Sequence, residues 1–361
     1  MSAPNKRTLV SNTGVATSTN VIGASGNSTV KLTQGFPTGN QILKRLNLRY
    51  SGNLNLATSS AGTVITRGGL QNIRGMILST PQHGNILNNV DGQGLHDLNY
   101  LKHGKRSINT DISPATTGTP TFDYHLPLEF RDPGSLIPGE SALDMFQVSY
   151  VELSINIGGA TDFILTGTYS TETIQVLNLE LSADVNPAPS AGDIPAWKPY
   201  INKLNFPVNQ TQSSLQLVLA YGNRLIKKYL IEQRNNTTFA QLANTIVGAA
   251  ESDRLSMVVG GYDWTHRVEW LELQDSMVAD FRLSDGVITG AAVVNFAEMD
   301  AVGYKAADLL GLNSPSAGSP IVEIDIDVTS VTNGSLWIYE DGMQPVPLDA
   351  QRPAATTPTV A

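Results

Sequence analysis

The stretch DVNPAPSAGDIPAWKPY, from Asp184 to Tyr200, sets the plan of the chain. Pro187, Pro189, Pro195 and Pro199 lack a backbone donor and hold φ fixed, which excludes a helix interior or the middle of a sheet. The segment reads as an extended connector. Blocks of equal length, 41–185 and 201–345, flank it, and both are rich in strand patterns. The organisation that follows is an N-terminal arm over 1–40, a first β domain over 41–185, a linker over 186–200, a second β domain over 201–345 and a C-terminal tail over 346–361. Trp197 sits between Pro195 and Pro199 and is expected to dock the linker on a domain, buried, because a large aromatic carries much contact area.

The clearest strand lies in the first block. Leu46, Leu48, Tyr50, Leu54 and Leu56 share one face, and Arg45, Asn47, Arg49, Ser51, Asn53 and Asn55 share the other. Period two over that length marks a half-buried strand. The same style predicts strands over 122–130, 151–157, 174–181, 215–221, 255–259 and 322–328, with others over 268–273 and 278–283. Gly222-Asn223 suits a hairpin turn. Thr238 with Gln241 forms a capping-box pattern ahead of Phe239, Leu242, Ile246 and Val247, which predicts a helix over 238–250. Asn295 with Glu298, followed by Met299, Val302, Ala306 and Leu310, predicts another, closed by Gly311. The helix signal of the first block, around Leu95, Leu98 and Leu101, is weaker. Residues 1–40 are dominated by Ser, Thr, Asn and Gly with scattered apolar positions, the pattern of an arm rather than a core element.

Charged residues make up 15% of the chain, against about 25% in ordinary soluble domains. Ser, Thr, Asn, Gln and Gly must therefore cover the surface, which suits a β protein largely in contact with copies or partners. The absence of cysteine excludes disulfides, thiolate metal sites and cysteine nucleophiles. No stretch has the pattern of a signal peptide or the length of a membrane span. Net charge is −9, yet Lys6, Arg7, Lys31, Lys44, Arg45, Arg49, Arg67 and Arg74 all precede the first acidic residue, Asp91. A basic start of this kind is expected to face an anionic surface, a membrane leaflet or nucleic acid.

Chemistry is hard to find. The Gly pairs at 68–69, 158–159 and 260–261 lack a phosphate-loop lysine. His83, His96, His103, His125 and His266 are dispersed and fit no metal spacing. No catalytic, cofactor-binding or metal-ligating residue is assigned. Glu323, Asp325 and Asp327 alternate along one strand face, an oxygen set of the type that holds calcium and, more ordinarily, the solvated face of an edge strand. Asn27, Asn209, Asn236 and Asn333 begin Asn-x-Ser/Thr patterns, which arise by chance in a chain of this composition.

The paired strand sets at 46–56 and 215–221, the linker with Trp197, and the helix signals at 238–250 and 295–310 have a common reading. In arrangement the chain resembles the double jelly-roll major capsid proteins of tailless icosahedral viruses, bacteriophages among them, many of which enclose a membrane. The resemblance covers roughly residues 41–345. It implies an all-β fold with a few short helices, built as two tandem jelly-roll β-sandwiches side by side. It also implies a homotrimer that presents a pseudo-hexagonal tile, loop helices on the outer face and an N-terminal segment pointing inward. The implied role is structural, in the virion shell after assembly in the host cytoplasm, without enzymatic activity or cofactor. The implied partners are the chain itself, neighbouring capsomers and, through the basic N-terminal part, an internal membrane or minor capsid proteins, with no sequence-specific nucleic acid. The rival reading is a tandem β-sandwich carbohydrate-binding module of the tail-spike or adhesin type, with Trp264, Trp270 and Trp337 stacking on sugars.

Overall fold

The computed structural model describes residues 5–11, 20–35, 41–57, 63–65, 67–107, 109–112, 118–130, 142–145, 148, 150–167, 169–187, 197–219, 224–248, 254–259, 262–263, 265–297, 310–312 and 322–347. The first half holds β1 (Asn5–Ser11), β2 (Val21–Gly23), β3 (Ser28–Gly35), β4 (Gln41–Ala57), β5 (Thr63–Val64), α1 (Gly68–Asn72), β6 (Ile73–Thr80), β7 (Gly84–Val90), α2 (Gly92–His103), β8 (Thr121–Glu129), β9 (Leu143–Asp144), β10 (Tyr150–Ile157), β11 (Ile164–Thr166) and β12 (Thr171–Pro187). The second holds β13 (Trp197–Pro207), β14 (Gln212–Leu219), β15 (Arg224–Asn235), β16 (Arg254–Val259), β17 (Tyr262–Asp263), β18 (Val268–Glu269), α3 (Trp270–Asp280), β19 (Ala291–Asn295), β20 (Leu310–Leu312), β21 (Val322–Val328) and β22 (Gly334–Pro345).

Eight principal strands in each half, lettered B to I in chain order, give the same plan twice. In the first half β1, β3, β4, β6, β7, β8, β10 and β12 form one sheet in the order B-I-D-G (β1-β12-β4-β8) and another in the order C-H-E-F (β3-β10-β6-β7). In the second half β13, β14, β15, β16, β17, β19, β21 and β22 give B-I-D-G (β13-β22-β15-β19) and C-H-E-F (β14-β21-β16-β17). Two four-stranded sheets in these orders define a jelly roll, so the chain is a double jelly roll. The longer helix of each half, α2 or α3, lies on the F–G connection.

Alternation builds each core. Leu46, Leu48, Tyr50, Leu54 and Leu56 of β4 face Ile155, Leu153 and Val151 of β10 across the first sandwich, in one buried cluster. Leu217, Leu255, Met257, Ile324, Ile338 and Tyr229 fill a second cluster. The two halves are joined by more than the linker. β7, the F strand of the first half, runs parallel to β13, the B strand of the second, at Leu87–Ile201 and Asn88–Asn202. This contact makes one nine-stranded sheet through both jelly rolls.

Several expectations are corrected. Residues 1–40 are not simply an arm. β1 is the B strand, pairing with β12 from Asn5–Val185 to Ser11–Glu180, and β3 is the C strand, in unbroken register with β10. Ile22, Val30 and Leu32 are buried. The pattern is hard to read because each short strand offers only two or three apolar positions among Ser and Thr. The 186–200 linker is shorter at both described ends: β12 runs to Pro187 and β13 begins at Trp197, while 188–196 lies outside the described residues. Pro199 is accommodated in β13 because the parallel contact with β7 begins only at Ile201, leaving one edge of β13 unpaired there. Trp197 is half-buried, packed with Leu225 against Met343 and Ala297, rather than fully buried.

The helices are placed differently as well. Residues 238–248 are not helical. Asn235 Oδ1 accepts from the backbone N–H groups of Thr237 and Thr238, and Gln233 Oε1 accepts from those of Thr245, Ile246 and Val247, so side chains hold this loop in place of helical bonds. Asn295 ends β19, and the rest of the expected helix over 298–309 lies outside the described residues. The strands expected over 268–273 and 278–283 are instead β18 and α3, with Trp270, Leu273 and Met277 on the buried helix face. β14 and β15 are not a hairpin across Gly222-Asn223, because they belong to different sheets. Of the C-terminal tail only 346–347 is described.

Candidate functional site: the seam between the jelly rolls

β15 and β22 are buried on both faces, although Lys228, Glu232, Arg234 and Asp341 share one of them. Tyr229, Ile231, Leu336 and Ile338 point into the second core. The alternate residues Leu230, Trp337 and Tyr339 point the other way and join the first core cluster. What covers that outer face is α2, the F–G helix of the first jelly roll. Gly94 of α2 lies so close to the Tyr339 ring that a Cβ there would fall 2.2 Å from it.

Asp91 is the keystone. It caps α2 by accepting from the Gly94 N–H at 2.9 Å, which satisfies one of the helix's free donors. Its other oxygen accepts from the Tyr339 hydroxyl at 2.5 Å and pairs with Lys203 Nζ at 3.5 Å. A first-half helix is thus capped by a residue anchored on the I and B strands of the second half. Burial alone raises the Asp91 pKa, but Lys203 and Arg234, with the Tyr339 and Gly94 hydrogen bonds, outweigh it and hold the carboxyl below its ordinary range. The far end of α2 is held too. Gly104 takes a left-handed φ of 64° as the C-cap, and its carbonyl accepts from Ser284 N–H at 2.8 Å. Tyr100 donates to Gly286 O at 2.9 Å and accepts from Asp285 N–H at 2.8 Å.

Buried ion pairs continue along the seam. Asn88 donates to Asn202 at 2.8 Å, Asn202 to Glu340 at 2.7 Å, and Arg224 to Glu340 at 2.9 Å. Lys228 lies 3.0 Å from Asp341, with Lys227 and Lys102 at 3.7 and 4.0 Å. Arg234 donates twice to Glu232, and its guanidinium lies over the Trp337 ring, with Lys203 Nζ 4.1 Å from the same ring. Burial, together with Asp97 and Asp91, raises the Glu232 pKa despite Arg234. Arg106 pairs with Asp97 at 3.1 Å and stacks on Tyr100. His96 of α2 is neutral: burial pushes it down to about 4, although Asp97 pulls the other way. Such pairs are costly to desolvate and therefore demanding in geometry. They fix an orientation, and no nucleophile stands beside a general base among them.

Gly94→Ala is expected to push the Tyr339 ring from Asp91 and to cost about 1–3 kcal/mol, the range for overpacking a filled site. Equilibrium urea unfolding checks it.

The residues singled out in the sequence are placed as follows. Glu323, Asp325 and Asp327 lie on β21, which is central between β14 and β16 rather than an edge. Asp327 is committed to Arg267 and to the Ser214 and Arg254 N–H groups, and Asp325 accepts from Ser214 Oγ. Among the described residues no three His, Asp or Glu side chains are grouped to hold a metal. Half of the basic start is paired with acids within the chain. Lys31 pairs with Glu152, Arg45 with Glu129 and Asp184, Arg49 with Asp123, and Arg74 with Asp162. Arg45 and Arg49 find their partners because β4 lies between the acidic outer positions of β8 and β12. Side chains of Lys6 and Arg7 lie outside the described residues. Trp270 and Trp337 are 1% exposed, which removes them as sugar-stacking platforms; Trp264 lies outside the described residues. The seam itself is missing from the sequence reading, because the charges of RLIKKYLIEQRN look like an ordinary solvated strand face.

No family model matches the sequence, and no curated protein matches it. Solved structures do. The STIV MCP aligns with a TM-score of 0.64 at 15% identity, over 96% of this chain and 98% of that one. The major capsid protein P2 of bacteriophage PM2 aligns with a TM-score of 0.58 at 13% identity, over 96% and 100%. The Faustovirus major capsid protein gives 0.57 at 9% identity, over 96% and 90%. The chain has the double jelly-roll fold of these viral capsid proteins along nearly its whole length.

Proposed function

We propose that this chain is the major capsid protein of an icosahedral virus, and that three copies form a pseudo-hexagonal capsomer of the virion shell. The observation that carries the reading is the pair of jelly rolls with one strand order, held at a fixed angle by a continuous sheet and a buried ionic seam. Two equivalent domains per chain give six around a threefold axis, which suits hexagonal tiling, and a tile needs a rigid angle between them. The low charge content agrees, since the flanks of a tile are buried against neighbours. The role is structural, with no catalytic step. Lys6 and Arg7, on the edge strand β1, are the remaining candidates for contact with an internal membrane or minor capsid proteins, and assembly would take place in the host cytoplasm.

Light scattering of the purified protein at micromolar concentration is expected to give three times the chain mass of 38.6 kDa, and electron micrographs of assembled material are expected to show hexagonal tiles. A monomeric mass, with no assembly, would sink the reading.

A further inference from the structure

Composition accounts for the number of Asn-x-Ser/Thr patterns but not for where the fold puts them. In each jelly roll the pairing within both sheets is antiparallel, so strands B, D, F and H run one way and C, E, G and I the other. The B–C, D–E, F–G and H–I connections therefore share one end. β7 is the F strand of the first half and β13 the B strand of the second, and the two are parallel. That end thus faces the same way in both halves. Asn27 lies on the first B–C connection, Asn209 on the second, Asn236 on the second D–E connection and Asn333 on the second H–I connection. Contacts between these connections agree. Thr161 N–H donates to Ala24 O at 3.1 Å, Ser330 N–H to Thr211 Oγ1 at 2.9 Å, and Asn236 N–H to Asn333 O at 2.7 Å. β1 begins and β22 ends at the opposite end.

All four asparagines are exposed. None of their Nδ2 groups donates to a described residue, whereas Asn72, Asn99, Asn202 and Asn244 all donate through theirs. Asn236 Oδ1 accepts from Asn205 Nδ2 at 2.7 Å, which orients the carboxamide without engaging its nitrogen. The overlapping pattern at Asn235 differs, because that side chain already holds the N–H groups of Thr237 and Thr238. The hydroxyls two residues on also differ. Thr29, Thr211 and Thr238 are exposed, while Ser335, on β22, is 0% exposed. We propose that Asn27, Asn209 and Asn236 accept a sugar on the folded chain, and that Asn333 does not. The reaction is N-glycosyl transfer from a sugar diphosphate donor, nucleotide-linked or lipid-linked. Nδ2 bonds to the anomeric carbon, the bond from that carbon to the diphosphate oxygen breaks, and the amide proton passes to the transferase. The pattern is read through the hydroxyl at its third position, which the folded chain offers at three sites and hides at Ser335. The inference goes beyond the capsid reading and does not depend on it. In a shell it puts bulky, hydrated groups on the end away from the start of β1 and the end of β22, and keeps that end clear of contacts between tiles.

The test is peptide mass spectrometry, with electron-transfer fragmentation, of the full-length protein made in its natural host. Sugar masses are expected on the peptides that carry Asn27, Asn209 and Asn236, with Asn333 unmodified. Unmodified asparagine at 27, 209 and 236 would overturn the proposal. Sugar on Asn333 as well would overturn the folded acceptor and put transfer on the nascent chain. Unmodified full-length protein is then incubated with host cytosol and a nucleotide sugar, or with host membranes, which separates the two donors. In the active fraction Thr211→Ala should abolish transfer to Asn209, leaving Asn27 and Asn236 as controls, and Thr211→Ser should restore it. Undiminished transfer to Asn209 in the alanine variant would mean that the hydroxyl is not read.

Discussion

Replacing Asp91 by alanine is expected to destabilise the protein by about 3–5 kcal/mol, the range for removing one partner of a buried charge pair. The substitution strands Lys203, which is 6% exposed at its side chain, leaves the Tyr339 hydroxyl without its acceptor, and uncaps α2. A cap alone is worth about 1 kcal/mol, so the size of the effect separates a helix cap from a keystone. Asp91→Asn keeps an acceptor for Gly94 and Tyr339 but loses the charge, and should fall between alanine and the unaltered protein. Urea unfolding measures both. The pH dependence has a definite sign. The folded-state pKa of Asp91 lies below its ordinary value, so its contribution is present above the unfolded carboxylate pKa and is lost as pH falls through the folded one. The alanine variant should lose that acid-side dependence. A cost below about 1 kcal/mol would mean that the seam is merely a crowded surface.

Much of the β framework was legible because one face of each strand meets water. β4 alternates cleanly for that reason, and so do β8, β10 and β21. Legibility fails where the partner of a residue lies far away in the chain. α2 carries Gln93, His96, Asp97 and Asn99 on a helix that is buried all round, so it shows no polar stripe, and its weak signal was the price of being buried by the other domain. β15 and β22 carry charges in strand alternation, yet both are covered on both faces. At 238–250 the local code favours a helix, but Gln233 Oε1, on an adjacent strand, accepts from the Thr245, Ile246 and Val247 N–H groups instead. α3 was misread because Val268, Trp270 and the residues after it alternate for long enough to imitate a strand. The basic beginning looked like a surface for an anionic partner. Pairing of Lys31, Arg45 and Arg49 with β8, β10 and β12, and of Arg74 with Asp162, uses half of those cations, which no local window reveals. The equal lengths of 41–185 and 201–345 were a coincidence, since the first jelly roll draws its B and C strands from before residue 41.

That last point reverses the expectation for truncation. Deleting residues 1–35 should prevent the first jelly roll from folding, rather than merely impair assembly. β3 is the C strand and covers the edge of β10 along eight residue pairs. Ile22, Val30 and Leu32 are 3%, 2% and 0% exposed and belong to the first core. Loss of one such side chain costs about 2–5 kcal/mol, and the whole stability of a domain is about 5–15 kcal/mol. Removing three, with the ladder bonds of β3, therefore consumes most of what is available. The seam depends on the same half: α2 rests on β6 and β8, so a first jelly roll that does not close leaves Tyr339, Lys203 and Arg234 of the second uncovered. The 36–361 chain is expected to lose its near-ultraviolet circular dichroism, bind hydrophobic dye and unfold without a cooperative transition. A milder cut, removing only 1–19, takes away the edge strand β1 but spares Ile22, Val30 and Leu32. It should still fold, at a lower urea midpoint. If the 36–361 chain unfolds with the cooperativity and midpoint of the full protein, β2 and β3 are accessory and the first jelly roll closes without its C strand.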